Sequence, residues 1–176
     1  YANVVDDVSF LVFQEGFKDG FGGDGDHLKK IEDINSAIDA GMTMITLDLS
    51  DLMKPDAANW SRAQIEEAFA ALPLQVSERI KETYFDRVVH AGTFSFTVSP
   101  LDAKRCALIF VEAMDFAGEV SRHLRRRRGD EFDLEISIDE TICPTLPHDH
   151  FFIVNELAAR NVDFVSIAPR FIGEFQ

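Results

Sequence analysis

Acidic side chains and histidines are concentrated in one stretch of the C-terminal third of the chain. The segment 132–138, Phe-Asp-Leu-Glu-Ile-Ser-Ile, is apolar at every second position, and Asp139 and Glu140 follow it directly. His148 and His150 come a few residues later, after Pro144 and Pro147. In parallel α/β folds, ligands bind at the carboxyl ends of the strands, where the loops into the helices meet. The pattern therefore predicts a ligand site after this strand.

Glu140 is the stronger acid–base candidate of the two adjacent carboxylates. Neighbouring residues of an extended chain point to opposite faces, so Asp139 and Glu140 cannot both face the same site. Continuing the alternation from Phe132 to Ile138 places Glu140 on the side of the apolar row. A carboxyl group in that position could act as a general acid or base. The alternative is that it caps a helix or pairs with an arginine.

The two histidines of this stretch are weaker candidates. Because His148 and His150 are two residues apart, they do not share one face of the helix predicted to begin near them, and a joint metal site is not expected. His150 could still bind a metal or donate a hydrogen bond to a substrate, since imidazole serves both purposes. The alternative is a surface histidine at the start of a helix.

A second group of candidate residues follows the glycine-rich segment 16–25. Asp26 could move a proton, His27 could bind a divalent metal, and Lys29 could hold an anionic substrate. The alternative is a flexible loop with a capping aspartate. Residues 20–25 also match the dinucleotide-binding pattern GxGxxG, read as following a strand and preceding a helix. The aspartates in and beside it would repel a pyrophosphate, which disfavours a nucleotide site.

The composition excludes several classes of function. With 176 residues, of which 46% are apolar, the chain can bury one sizeable core and is expected to form one domain. Its net charge of −14 argues against a nucleic-acid partner, because phosphate binding needs a basic surface. The sequence has no signal-peptide pattern, no apolar run of membrane-spanning length and no CxxC pair. A cytoplasmic protein without a membrane partner is therefore expected.

The hydrophobic pattern predicts an α/β fold with a parallel sheet. Strands are expected at 8–13, 43–49, 132–138 and 164–167, and residues 93–98 could be a strand or an extended loop. Between them, helices are expected around Ile31–Ile38, through Ile65–Leu72, through Val76–Val88, from Pro100 to Arg128 and near 148–160. Alternation of this kind is typical of βα units.

Four βα units are half of an eight-stranded barrel. We therefore expect residues 1–176 to form a single domain, the central part of a TIM-barrel-like (β/α)8 fold, with 55–98 as a helical elaboration. The chain begins at Tyr1 and ends at Gln176 without a finished element, which favours a fragment of a longer protein. A complete doubly wound sheet is the alternative.

Several motifs, in order along the chain, resemble the tagaturonate/fructuronate epimerase family. They include Asp-His-Leu-Lys at 26–29, Ser-Ile-Asp-Glu-Thr at 137–141 and Ser-Ile-Ala-Pro-Arg-Phe-Ile-Gly-Glu-Phe at 166–175, with shorter matches at 32–34, 40–43, 47–48, 144–145, 150–153 and 156–157. The resemblance implies a TIM-barrel-like enzyme that inverts a hexuluronate at the carbon β to its ketone, using a divalent metal.

The proton on that carbon is not acidic, so simple enolisation cannot invert it. The resemblance therefore implies retro-aldol cleavage, rotation of the aldehyde fragment and re-addition, with the metal stabilising the enediolate. By motif, Asp26 is the expected proton acceptor, His27 a metal ligand and Glu140 the proton donor. The family's further metal histidines are expected beyond residue 176, so this chain alone should bind metal weakly.

The substrate, a small sugar acid, needs cationic and hydrogen-bonding partners for its carboxylate. Lys18, Lys29 and Arg170 are the expected partners, and His150 is a further candidate contact. Rival hypotheses are a metal-dependent sugar aldolase or isomerase on the same scaffold and a non-catalytic sugar-acid-binding homologue. A nucleotide-binding oxidoreductase ranks last.

Overall fold

The computed structural model describes residues 1–173, and the end of the last sequence motif, residues 174–175, lies outside them. Its elements are α1 (Ala2–Glu15), β1 (Asp24–Leu28), α2 (Ile31–Asp39), β2 (Met44–Asp48), α3 (Arg62–Ala70), α4 (Leu74–Tyr84), β3 (Arg87–Ala91), β4 (Phe94–Val98), α5 (Pro100–Arg128), β5 (Asp133–Ser137), α6 (Pro147–Ala159) and β6 (Ser166–Ala168). Two short 3-10 turns, Ser50–Leu52 and Pro55–Asn59, follow β2.

Four strands form a parallel sheet in the order β1-β2-β5-β6. The register pairs Asp48 with Ser137, so β2 and β5 end at the same level. The prediction of an α/β fold with a parallel sheet is confirmed. Over residues 1–173 the sheet is open, with β1 and β6 at its edges, and it does not close into a barrel.

The helices begin and end where local chemistry favours it. Ser99 caps α5 by accepting a hydrogen bond from the backbone N–H of Asp102, and Pro100 occupies the first helical position. Ser61 and Gln64 form a capping box at the start of α3. Four arginines end α5 just before Gly129, where their charge complements the helix dipole.

The core lies between the sheet and helices α5 and α6. β2 is buried at nearly every position, as expected for a parallel strand covered on both faces. Fully buried side chains of the sheet pack against buried side chains of α5 and α6. The sheet contributes Ile45, Leu47, Leu134 and Ile136, and the two helices contribute Met114, Leu124, Phe152 and Leu157. This packing holds the strand ends in fixed positions.

The predicted buried strand at 8–13 is wrong, because these residues lie in the middle of α1. Phe10 and Phe13 are exposed, and Ser9 donates its hydroxyl to the carbonyl of Val5, one helical turn back. A continuous apolar run cannot be assigned to strand or helix by periodicity alone. Here no helix breaker occurs before Gly16, which ends α1 with a left-handed backbone (φ 63°).

The first parallel strand is β1, which contains Asp26 and His27. The GxGxxG pattern therefore follows a helix and leads into a strand, the reverse of the order that dinucleotide binding requires. Gly25 is needed for close packing, since a Cβ there would lie 2.8 Å from Leu28 and 3.0 Å from Ala37. Downstream, Val88 belongs to the β3–β4 hairpin and not to the predicted helix, which ends at Tyr84.

Within residues 1–173, no helix is both long enough and apolar enough to cross a membrane. The two cysteines are free thiols: Cys106 is buried in α5, and Cys143 lies half-buried in the loop after β5.

Candidate active site

The carboxyl ends of three neighbouring strands bring four candidate functional side chains together. β1 supplies Asp26 and His27, β2 ends in Asp48, and Glu140 follows β5 after two further residues. These residues are far apart in the sequence, but the order β1-β2-β5 places their strands side by side. The site therefore lies where parallel α/β folds bind their ligands.

His27 is held in an unusual backbone conformation at the end of β1. Its φ is 50°, in the left-handed region that non-glycine residues seldom adopt, and the β1–β2 register shifts between Gly25 and Leu28. Bulges of this kind redirect a side chain at a strand end. The result is that the imidazole Nδ1 lies 3.1 Å from the Oδ2 atom of Asp48 on the neighbouring strand.

Asp48 is a buried carboxylate whose hydrogen bonds keep it ionised. Its side chain is 1% exposed, and its Oδ1 accepts the backbone N–H of Ser50 at 2.8 Å. Burial by itself raises the pKa of Asp48, but hydrogen bonds from Ser50 and His27 outweigh burial and lower that pKa to about 2. The hydrogen bond to Asp48 in turn raises the pKa of His27 above 6.5, against the opposing effect of burial.

Asp26 and Glu140 lie on opposite sides of the imidazole ring. The Oδ1 atom of Asp26 is 3.7 Å from Nε2 of His27, whereas the Oε1 atom of Glu140 is 3.8 Å from Nδ1. Their side chains are 74% and 53% exposed, so both carboxylates can reach a ligand from solvent. The arrangement presents two possible proton-transfer groups on either side of one imidazole.

Lys29 joins the two carboxylates that come from β2 and β5. Its Nζ atom lies 3.5 Å from Asp48 and 3.6 Å from Glu140, and it donates hydrogen bonds of 2.9 Å to Ser50 and Asp51. The hydrogen bond to Asp51 is the main reason that the pKa of Lys29 is raised. The ammonium group is therefore already surrounded by protein oxygens.

The donor atoms of this site fit a divalent cation. One ligand atom each from His27, Asp48 and Glu140 lie within 4.8 Å of one another. Because Nδ1 of His27 is engaged with Asp48, Nε2 is the ring nitrogen left for a metal. A metal-bound histidine commonly donates its other N–H to a carboxylate in this way. Imidazole and carboxylate are suitable ligands for zinc and for other first-row divalent ions.

The other predicted site residues are not gathered around His27. Lys18 is exposed in the segment between α1 and β1. His150 is exposed on the first turns of α6, in an apolar groove of about 730 Å³ formed with the β3–β4 hairpin. Arg170 follows β6, so it lies at the carboxyl ends of the strands, as Glu140 does. It lines a cavity of about 620 Å³ together with Asp139. Of these three, Arg170 is placed best for a ligand at the strand ends.

A second cluster of possible metal ligands lies between α5 and α6, at Cys106, His148 and Asp149. The Cys106 thiol lies 3.2 Å from Oδ1 of Asp149, whose Oδ2 accepts the backbone N–H of Leu146 and so caps α6. Burial, followed by the nearby Asp149 charge, raises the pKa of Cys106 well above its usual range. The protonated Cys106 thiol donates to the aspartate that caps α6, so this contact is explained by a structural role at the start of the helix.

Asp48 is the site residue that the sequence analysis did not identify as functional. It appeared there only within the short motif match at 47–48. The signal was available, because Asp48 ends an apolar strand in the same way that Asp139 and Glu140 follow β5. The strand-end argument used for Glu140 therefore applies equally to Asp48.

The whole sequence is similar to a known protein family. The family model described as tagaturonate epimerase matches residues 1–176. The tagaturonate/fructuronate epimerase of Thermotoga maritima is 35% identical over 176 residues, which are 100% of this chain and 36% of that protein. The chain thus spans about a third of the length of this curated relative.

Solved structures lead to the same family. The glycerol-complexed crystal structure of the fructuronate-tagaturonate epimerase UxaE from Cohnella laeviribosi superposes with a TM-score of 0.94 at 40% identity, covering 98% of this chain and 35% of that one. The native structure of the same enzyme gives a TM-score of 0.93 with the same coverage. Because the family model matches the whole sequence, the chain belongs to the tagaturonate epimerase family.

Proposed function

We propose that this chain is part of a metal-dependent epimerase that interconverts the hexuluronates tagaturonate and fructuronate in carbohydrate catabolism. One observation supports it above all. Asp26 and Glu140 approach opposite nitrogens of the His27 imidazole, at 3.7 and 3.8 Å, from the ends of two different strands. A reaction in which one group takes a hydroxyl proton and another returns a proton to the re-formed hydroxyl needs two such groups.

The proposed chemistry is retro-aldol cleavage followed by aldol re-addition. Asp26 accepts the proton of the hydroxyl on the carbon β to the ketone, and the bond between the α and β carbons breaks. Its electron pair remains on the ketone fragment as an enediolate, while the other fragment becomes an aldehyde. After the aldehyde rotates, the bond re-forms on the opposite face, and Glu140 donates the proton to the new hydroxyl. Atoms and charge balance, and no oxidant is needed.

In this proposal His27 is the residue of this chain that binds the divalent cation, through Nε2. When bound, the cation supplies a positive charge that stabilises developing negative charge on substrate oxygens. Asp48 and Lys29 belong to the same network, and Lys29 keeps the Glu140 carboxylate close to the ring. The metal assignment is supported by the contact between Asp48 and Nδ1, which leaves Nε2 of His27 available for a cation.

For the substrate carboxylate we propose Arg170 as the principal partner, with Lys18, Lys29 and His150 as further contacts. Arg170 is supported by its position after β6 and by the cavity beside Asp139. An arginine can bind a carboxylate through two parallel hydrogen bonds. Arg170→Gln should therefore raise KM and leave kcat nearly unchanged. A normal KM would remove Arg170 from the carboxylate site.

We also propose that the four-stranded sheet is the central part of a (β/α)8 barrel and that residues 1–176 belong to one domain. Support comes from the open parallel sheet and from the coverage of only 35% of the chain of the Cohnella enzyme. We therefore propose the epimerase activity for the protein encoded by the complete reading frame, and not for residues 1–176 alone. If a structure of that product showed β1 and β6 as free sheet edges, the barrel proposal would be wrong.

The decisive experiment uses that complete product. A chelator removes bound metal, single divalent ions are added back, and conversion of tagaturonate to fructuronate is followed. Interconversion restored by one or more ions is the expected result. Release of cleavage fragments without epimer would favour an aldolase, and bound metal without any reaction on uronates would favour a non-catalytic sugar-acid-binding homologue.

A further inference from the structure

Asp48 is almost completely buried, yet its polar contact with the His27 ring is shorter than those of Asp26 and Glu140. Its side chain is 1% exposed, against 38% for the imidazole beside it. One carboxylate oxygen is fixed by the backbone N–H of Ser50 at 2.8 Å, and the other lies 3.1 Å from Nδ1 of His27. A group buried this deeply is poorly placed to contact a substrate directly.

The contact constrains which imidazole nitrogen carries the proton. An ionised carboxylate only accepts hydrogen bonds, so Nδ1 of a neutral His27 must carry the proton to satisfy it. The lone pair is then on Nε2, the nitrogen that faces Asp26. The ring is also held in direction, because the left-handed backbone of His27 and the bulge in β1 orient it toward the end of β2.

We propose that Asp48 is a positioning residue that fixes His27 in the Nδ1–H tautomer and presents Nε2 to a divalent cation. This inference rests on the proposed metal-dependent function for its biological meaning, but its structural content concerns only two residues of this chain. It assigns Asp48 an effect that is transmitted through His27 and not through contact with substrate.

Asp51 provides a matched control. It is also a carboxylate that follows β2, and it accepts a hydrogen bond from Lys29 at 2.9 Å, but it is 66% exposed, and its described contacts do not include His27. Asp48→Asn and Asp51→Asn each remove one negative charge next to Lys29. Only Asp48→Asn replaces the obligate acceptor at Nδ1 with an amide that can also donate a hydrogen bond.

The test records the ¹⁵N resonances of the His27 ring in the protein from the complete reading frame, metal-free and at a pH where the ring is neutral. We expect the Nδ1–H tautomer in wild type and in Asp51→Asn, and loss of that preference in Asp48→Asn. Added Zn²⁺ should shift Nε2. Zinc binding should weaken about 10- to 100-fold in Asp48→Asn and stay unchanged in Asp51→Asn.

The inference would be overturned by a wild-type ring that carries its proton on Nε2, by zinc shifting Nδ1, or by an Asp48→Asn ring with the wild-type tautomer and zinc affinity. If Asp48→Asn does not fold, the inference is tested on the wild-type protein alone, by whether the His27 ring carries its proton on Nδ1. These measurements require no substrate. A failure to epimerise uronates would therefore contradict the proposed function, and the tautomer of His27 would still be decided by its own measurement.

Discussion

The buried Glu156 of α6 and the partly exposed Arg79 of α4 form a two-point ion pair. Arg79 Nη1 lies 2.5 Å from Oε1 of Glu156, and Nη2 lies 2.7 Å from Oε2. Glu156 is fully buried, and Tyr84 and Arg160 donate to the same carboxylate at 2.7 Å each. A buried carboxylate is tolerated when its lone pairs are satisfied in this way, so the cluster connects α4 to α6.

Glu156→Gln should destabilise the fold. The amide cannot accept at both oxygens, so it leaves Arg79, Arg160 or the Tyr84 hydroxyl without a full set of partners. We expect a loss of about 2–3 kcal/mol in the free energy of unfolding. This loss is at or below the lower end of the range for breaking a buried ion pair, because Arg79 is itself partly exposed. Urea denaturation followed by circular dichroism measures the change.

Glu78→Gln is the matched control, since Glu78 lies on α4 and is 50% exposed with only a surface pair to Lys81. Its effect should stay within about 0.5 kcal/mol. Equal destabilisation by the two substitutions would contradict the structural role given to Glu156.

The same cluster predicts a pH dependence of stability. Burial alone raises the pKa of Glu156, but hydrogen bonds from Arg79, Tyr84 and Arg160 outweigh burial and lower its pKa below the ordinary value of 4.5. The folded state therefore binds the proton less readily than the unfolded state. The stabilisation is present above the unfolded pKa and is lost as the pH falls through the lowered one. The stability difference between wild type and Glu156→Gln should shrink on acidification; a constant difference would refute this linkage.

Glu140→Gln should abolish turnover and preserve the fold. Removing a general acid typically slows a reaction about 10²- to 10⁴-fold, whereas a half-exposed side chain contributes little to stability. Turnover is measured on the complete protein with its metal restored. Glu131→Gln, the same change at an exposed position just before β5, should leave turnover normal. Normal activity in Glu140→Gln would exclude Glu140 as the proton donor.

Ser99→Ala should weaken the start of α5, the longest helix in residues 1–173. The Ser99 hydroxyl accepts the backbone N–H of Asp102 at 3.1 Å, and its loss should cost about 1 kcal/mol in the free energy of unfolding. Thermal or urea unfolding checks this. Ser36→Ala, in the middle of α2 and exposed, should be neutral or slightly stabilising because alanine favours helix; an equal loss there would argue against the cap.

The hydrophobic pattern of the sequence was sufficient to predict a helix or strand where a single periodicity dominates. The apolar stripe of α5, its Ser99-Pro100 start and the alternation of β5 predicted those elements, because each depends on neighbours close in the sequence. Pattern failed for residues 8–13, where an unbroken apolar run fits either a strand or a helix. It also failed to place Asp26 and His27 on a strand, because their glycine-rich surroundings suggested a loop.

Glu140 could be predicted as a site residue from its place after an apolar strand, and the family resemblance added Asp26 and His27. The contact between His27 and Asp48 could not be predicted in the same way. It depends on the pairing of β1 with β2, the bulge between Gly25 and Leu28, and the left-handed backbone at His27. The sequence by itself thus determined the acidic side chains that follow β5 and, through the family resemblance, the candidates Asp26 and His27. Only the tertiary structure decided which of those side chains meet, because register and strand order are set by long-range packing.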